Sequence, residues 1–301
     1  MSPGPGPGSL IDSGSDMEVP PLKRHRILAL ATGLLLVLAA CGGDDSNGDA
    51  SNGDASSDDR SPAEVLAAAG TATEESGTAR IASDQITAAQ GQEFTTTVEG
   101  IVDLATGDSE STLELTLPGQ ETQSSQLITD GSTGYIEASA FPGAPTDAQW
   151  ISIDFESVGA QMGINVEAFR QNGAGQLAYL SEVADVEEVG TESVRDAETT
   201  HYRFTADISA LAESGPEELR SSYEQLVEIT GTEEIPTQVW IDGDDRVRRI
   251  VTEVEIEQQG QQVTQQSTVE YYEFGVEVDV QPPPEEDTVD ITELGGGGQA
   301  P

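Results

Sequence analysis

Thr95-Thr96-Thr97-Val98-Glu99-Gly100-Ile101-Val102-Asp103-Leu104, a turn at Thr106-Gly107-Asp108, and Thr112-Leu113-Glu114-Leu115-Thr116-Leu117 before Pro118-Gly119 decide the fold. The first run is rich in threonine and β-branched side chains, which fit a pleated surface. The second alternates apolar and polar residues strictly, the period of a strand with one face in water. Together they predict an antiparallel hairpin. The same pattern continues with Gln126-Leu127-Ile128-Thr129, a turn at Asp130-Gly131, Gly134-Tyr135-Ile136-Glu137 and then Trp150-Ile151-Ser152-Ile153. Roughly four to six antiparallel strands in series are expected over this stretch.

Toward the amino terminus, Ser61-Pro62-Ala63-Glu64 is a helix start: Ser61 can cap, Pro62 suits the first helical position and Glu64 completes a capping box. That helix is expected to run through the alanines to about Ser76. Toward the carboxy terminus, Phe155 to Arg170 holds helical spacing at Val158, Met162 and Val166, and Leu177, Leu180 and Val183 share one face of a second short helix. Strands resume at 186–190 and 201–205. A helical pair follows at 207–214 and 216–229, with Leu219, Tyr223, Leu226 and Val227 on its apolar side. The last strands are 237–241, 247–256 and 263–274, with a turn at Asp242-Gly243-Asp244-Asp245. Strands separated by turns, with helices inserted in two blocks, give an α+β domain built on a large antiparallel sheet. Such a sheet can leave one face to water and cover the other with helices.

The formal net charge is -44 at pH 7, and no lysine follows residue 41. A surface so acidic repels phosphate backbones, so nucleic acid is excluded as a partner. Solvation of the surface is the plain reading of the acid, and adaptation to high salt is compatible with it. The single cysteine allows no internal disulfide. The domain must fold by burial alone, which a chain of this length can do.

That cysteine has another use. Lys23-Arg24-His25-Arg26 precedes the apolar run Ile27 to Leu38, which is too short to span a bilayer comfortably and reads as a signal peptide. It ends in Leu38-Ala39-Ala40-Cys41-Gly42, which resembles the lipobox of bacterial lipoproteins. The lipobox resemblance implies diacylglyceryl transfer to the Cys41 thiol and cleavage before it. The expected organisation is therefore 1–40 signal peptide, with Met17 as an alternative start, then 41–60 acylated cysteine and flexible acidic linker, 61–282 folded domain, and 283–301 disordered tail. In the linker Asn47-Gly48-Asp49-Ala50-Ser51 repeats as Asn52-Gly53-Asp54-Ala55-Ser56. Nothing in it can build a core, and a tether of that length averages about 25 Å between its ends. More than one acyl chain makes such an anchor stable. The expected location is the extracytoplasmic side of the cell membrane.

Val189-Gly190, Val194, Thr200-His201-Tyr202, Asp207-Ile208, Ile235-Pro236-Thr237-Gln238-Val239-Trp240-Ile241-Asp242, Val247-Arg248-Arg249-Ile250 and Tyr271-Tyr272-Glu273-Phe274-Gly275 come in an order that resembles the LppX/LprG-type bacterial lipoproteins. The likeness spans residues 61–282. It implies a LolA/LolB-like fold: a half-barrel sheet with helices across its concave face and an apolar cavity between the layers. It further implies a ligand, the acyl chain of an envelope lipid or glycolipid, a carrier or chaperone role, and an envelope transporter as a partner. If such a cavity exists, its lining candidates are Leu177, Leu180, Tyr202, Phe204, Tyr223, Ile250, Val254 and Ile256. Ordinary core is the competing reading for each. An envelope interaction module without a cavity is the alternative for the whole.

No enzyme is expected. His201, the one histidine after Cys41, has no nucleophile motif to serve, and alternation points it away from Tyr202 and Phe204. Asp242-Gly243-Asp244-Asp245 lacks the alternating oxygen ligands of a calcium loop, because Arg246 takes the third alternate position. It reads as a hairpin turn. No metal or other cofactor is expected. Trp240 faces away from Val239 and Ile241; it can pack under a helix or line a cavity, and core packing is its default reading.

Overall fold

The computed structural model describes residues 60–89, 91–140, 148–166, 177, 180, 183, 185–214, 217–258 and 261–295. The signal peptide, Cys41 and the linker through residue 59 lie outside the described residues. So does most of the short helix expected around Leu177, Leu180 and Val183.

One 12-stranded sheet organises the chain. Helix α1 (Pro62–Glu74) comes first. Strands β1 (Thr78–Ala89), β2 (Gln92–Asp103), β3 (Ser109–Thr116), β4 (Gln123–Asp130), β5 (Thr133–Glu137) and β6 (Trp150–Asp154) follow, and α2 (Phe155–Met162) continues from β6. Then come β7 (Glu187–Val194), β8 (Ala197–Asp207), α3 (Ile208–Ser214), α4 (Glu217–Thr230), β9 (Glu234–Asp242), β10 (Val247–Gln258) and β11 (Gln261–Tyr272). The last elements are β12 (Thr288–Asp290) and α5 (Ile291–Gly295). The spatial order is β12-β6-β5-β4-β3-β2-β1-β11-β10-β9-β8-β7. All pairings are antiparallel except β12 on β6. The two end strands do not pair with one another, so the sheet is open. This is the α+β architecture expected from the alternating runs.

Local chemistry explains the element ends. Ser61 and Glu64 form the predicted capping box: the Ser61 hydroxyl accepts from the Glu64 N–H, and the Ser61 N–H donates to Glu64 Oε2 at 2.7 Å. Asp154 caps α2 by accepting from the N–H groups of Glu156 and Ser157. Gly163 ends α2 with φ 75°, a left-handed conformation that glycine adopts without strain. Val166, placed on the helical face by its spacing, therefore lies beyond the helix.

Residues directly opposite across strands share a face, so register defines one inner face. Ala79, Val102, Val239, Ile241, Ile250, Val269 and Tyr271 lie on it, and Val65, Leu66 and Ala69 of α1 pack against them in the first apolar cluster. A second cluster joins Ile208, Leu211, Leu219 and Tyr223 of α3 and α4, with Ile235 touching both clusters. A third gathers Leu127, Ile136, Ile151, Ile153 and Phe155, with Val158, Val166, Val289, Ile291 and Leu294 against it. Helices thus cover one face of the sheet.

Two expectations need correcting. Thr78–Ala89 carries no strand in the sequence reading, yet β1 pairs along its whole length with β2 and from Arg80 to Ala89 with β11. Its inner positions are Ala79, Ile81, Ser83 and Gln85, too mixed to show a hydrophobic period. The second concerns 283–301. Instead of a structureless tail, residues 284–295 contribute a short helical turn, β12 and α5, and Val289, Ile291 and Leu294 give them apolar surface to bury.

Candidate functional site

The inner face is where the expected lining residues fall. Leu177, Leu180, Tyr202, Phe204 and Ile250 come together in the first cluster. Leu180 is 1% exposed and Phe204 4% exposed, so these side chains are packed rather than open to solvent. Tyr223 belongs to the second cluster, Val254 is buried further along β10, and Ile256 is half-buried. Burial pushes the Tyr202 hydroxyl above the ordinary tyrosine range, and the charge of Glu188 adds to the rise.

Two surface hollows lie elsewhere. One of about 580 Å³ opens between α3 and α4 and is lined by Ser209, Ala212, Glu213, Arg220, Glu224 and Val227. The other, about 370 Å³, sits past the end of α2 beside Gly163, Ile164, Asn165 and Val166. None of the expected lining residues borders either hollow.

The opposite face is ionic and aromatic. His201, Trp240, Arg249 and Glu270 are successive cross-strand partners from β8 to β11. The His201 and Trp240 rings stack with centroids 4.2 Å apart and planes 7° apart. The Trp240 indole N–H donates to Glu192 at 2.6 Å, and the Arg249 guanidinium lies 5.3 Å from the Trp240 ring. Trp240 is therefore buried as expected, but beneath His201 and Arg249 on the face away from the first cluster. Glu270 accepts from Arg249 Nε at 2.8 Å and from Arg195 Nε at 2.7 Å, while Arg195 also lies 3.8 Å over the Tyr272 ring. Burial alone would raise the Glu270 carboxyl, but the hydrogen bonds and charges of the two arginines together hold it below the usual range.

At the β9–β10 turn, Asp242 accepts from the N–H groups of Asp244 and Arg246, and its carboxylate meets Arg246 and Arg248. Two backbone N–H groups and the guanidinium groups of Arg246 and Arg248 already surround its carboxylate, so the segment is a hairpin turn held by arginine. Among the described residues no group of three or more His, Cys, Asp or Glu is gathered where it could hold a metal ion.

Sequence reasoning missed the middle of the inner face. Ser83, Gln85, Ser111, Ser125 and Gln265 are all buried there. Their signal was visible only as Ser and Gln on the inward positions of β1, β3, β4 and β11, which register alone makes meaningful.

Fold and face together define a single-sheet α+β domain with one helix-covered interior, apolar at its flanks and polar in its middle. No family model matches the chain. A Streptomyces griseus protein described as an uncharacterized 31.2 kDa protein in the rplA–rplJ intergenic region is 29% identical over 164 residues, which are 50% of this chain and 52% of that one. The chain thus spans about half the length of this curated relative. Among solved structures the chain is similar to the lipoprotein LppX of Mycobacterium tuberculosis, at 15% identity and a TM-score of 0.45, covering 73% of this chain and all of that one. It is also similar to LprF of Mycobacterium bovis, at 14% identity and a TM-score of 0.42, covering 73% of this chain and 96% of that one. The sequence motifs resemble the same type of lipoprotein. At these identities and scores neither likeness decides the function. Among the described residues no helix is long and apolar enough to cross a membrane.

Proposed function

We propose that this chain is an extracytoplasmic lipoprotein, anchored through acyl chains on Cys41, whose folded domain from residue 61 onward binds an acyl chain between the inner face of the sheet and its helices. The observation that carries the reading is the meeting of Leu177, Leu180, Tyr202, Phe204 and Ile250 in one buried cluster under α1, on an open sheet. An open sheet can part from its covering helices without breaking strand pairs, so the same surface that packs the core can receive hydrocarbon. Each methylene taken from water would contribute about 0.8 kcal/mol. Carriage of an envelope lipid or glycolipid, and delivery to an envelope transporter, extend this reading. Leu38-Ala39-Ala40-Cys41 supports the anchor.

The test uses the full chain made in a bacterium and extracted from its membranes. Denaturing mass spectrometry reads the covalent lipid, and native mass spectrometry of the same sample adds any ligand held without a bond. A lipid-sized difference between the two, at one per chain, is the expected result. Equal masses, together with failure to take up long-chain lipid afterwards, would overturn the reading in favour of an interaction module without a ligand. Cys41→Ala should abolish the covalent lipid.

A further inference from the structure

The carboxy-terminal segment docks at the far edge of the sheet. Gly275 is fixed beside β1, where its N–H donates to the Thr78 carbonyl at 2.7 Å. Residues 276–284 then form neither strand nor helix, and they end in Pro282-Pro283-Pro284, which have no N–H to give to a ladder. The chain passes β2 to β6 in this way and rejoins the sheet as β12. There the Gln149 N–H donates to the Asp287 carbonyl at 2.9 Å, and Thr288–Asp290 pair in parallel with Trp150–Ser152. Val289 stands opposite Ile151, which is fully buried, and packs with Ile291 and Leu294 against the third cluster. A short parallel ladder and three apolar side chains thus hold the segment down.

Charge opposes that docking. Residues 276–295 carry seven acidic residues and no Lys or Arg, and residues 92–166, which hold β2 to β6, carry twelve and none. Asp290 stands opposite Ser152, between Trp150 and Asp154 along β6, and Glu137 stands opposite Trp150 on the other side. Burial chiefly raises the Tyr135 hydroxyl above the ordinary tyrosine range, and the charges of Asp130 on β4 and Glu285 beside β12 both add to the rise. The other end of the sheet is different, because arginines there pair with the acids: Arg203 with Glu187, Arg249 with Glu270, and Arg246 and Arg248 with Asp242. Repulsion between exposed charges reaches about 30 Å at 0.01 M salt and about 3 Å at 1 M, whereas apolar burial does not depend on screening.

We propose that residues 276–295 are a salt-gated strap. At high ionic strength β12 and α5 seat on β6 and close the third cluster. At low ionic strength the unscreened carboxylates lift the segment, with the three prolines in its hinge, and leave the β6 edge and Ile151 open. The device is independent of the acyl-binding reading.

The experiment is hydrogen–deuterium exchange, read by mass spectrometry, on the full chain in a non-ionic detergent at one pH, in about 10 mM and about 1 M sodium chloride. Peptides covering 285–295 and 148–154 should exchange about tenfold faster in the dilute buffer, and peptides from β8 and β9 should change by less than about twofold. Glu285→Gln with Glu286→Gln and Glu293→Gln removes three exposed charges and should keep the strap seated in dilute buffer. Val289→Asp should leave 148–154 exchanging fast at both salt concentrations. Equal strap protection at both concentrations, a strap unprotected at both, a slowing shared in full by β8 and β9, or a triple variant that responds as the wild type does would overturn the proposal.

Discussion

Thr73 ties the one helix at the amino-terminal side of the sheet to strand β10, and replacing it by valine should cost about 2 kcal/mol. Its hydroxyl donates to the Ala69 carbonyl at 2.6 Å and accepts the Val247 N–H at 2.8 Å. Both Thr73 and Val247 are fully buried. Thr73→Val keeps the shape and removes the acceptor, so the Val247 N–H is left unmet in the core, which costs about 1–3 kcal/mol. Valine and threonine have similar helix propensity, so α1 itself is not weakened. Thr73→Ser keeps the hydroxyl and loses one methyl, for about 1 kcal/mol. A domain of this size shifts by about 2–4 °C per kcal/mol, so the valine variant should melt about 4–8 °C below the wild type. Urea unfolding followed by tryptophan fluorescence, with thermal melts beside it, reads both variants. The expected order is wild type, then serine, then valine, with unchanged urea slopes. A valine variant as stable as the serine variant would refute the claim that the hydroxyl, and not the packing, is what the site requires.

Gly134 lies under the Phe155 ring, and a Cβ there would come 2.3 Å from Phe155 Cζ, so Gly134→Ala should destabilise by about 1–3 kcal/mol in the same unfolding assay. Glu74 at the end of α1 is half-buried, and burial raises its carboxyl above the ordinary range. The folded state then holds that proton more tightly than the unfolded state, so Glu74 costs stability at neutral pH and the cost fades on acidification toward the unfolded value. Glu74→Gln should raise the melting temperature at pH 7, and the gain should shrink near pH 4; a constant gain would point to a cause other than ionisation. Glu270 has the opposite sign: its carboxyl is held low, so its contribution is full above the unfolded value of about 4.3 and is lost as the pH falls through the folded one. Glu270→Gln should therefore flatten the acid limb of the stability curve, which melts between pH 5 and pH 2 would read. A protein carrying a net charge of -44 should also gain stability from molar salt, and identical melts in dilute and concentrated sodium chloride would dismiss salt adaptation.

Strand period was the most legible feature of the chain, and it failed where the inner face turns polar. Leu113 and Leu115 alternate with glutamate and threonine, so β3 could be read directly. In β1 the inner residues pass from Ala79 and Ile81 to Ser83 and Gln85, and the outer ones include Ala82. No hydrophobic period survives that mixture, although β1 lies between β2 and β11 and pairs with both. The capping box at Ser61 was legible because both partners sit within four residues. Trp240 was not, because its neighbours His201, Arg249 and Glu192 come from three other strands. The β12–α5 segment hid behind its prolines and glutamates, and its apolar Val289, Ile291 and Leu294 gain meaning only against β6 and Phe155.

Arg60, the first described residue, joins the anchor question to the interior. Its guanidinium grips both Asp245 carboxylate oxygens, at 2.7 and 2.8 Å, at the β9–β10 turn. Asp245 has φ 61° in the turn, and the pair ties the residue just before α1 to it. The first cluster, with Leu104, Ile241 and Val247, fills that end of the sheet. Gln85 lies seven residues along β1 from Thr78, about 24 Å toward the other end. On the proposed reading, the anchored end is closed by α1 and the polar middle lies far from the linker's attachment. If 41–60 is the flexible acylated tether that its composition predicts, its span of about 25 Å is long enough for the domain to turn its distal end toward the bilayer. Its acidic residues, with no lysine after residue 41, keep it from adhering to anionic headgroups.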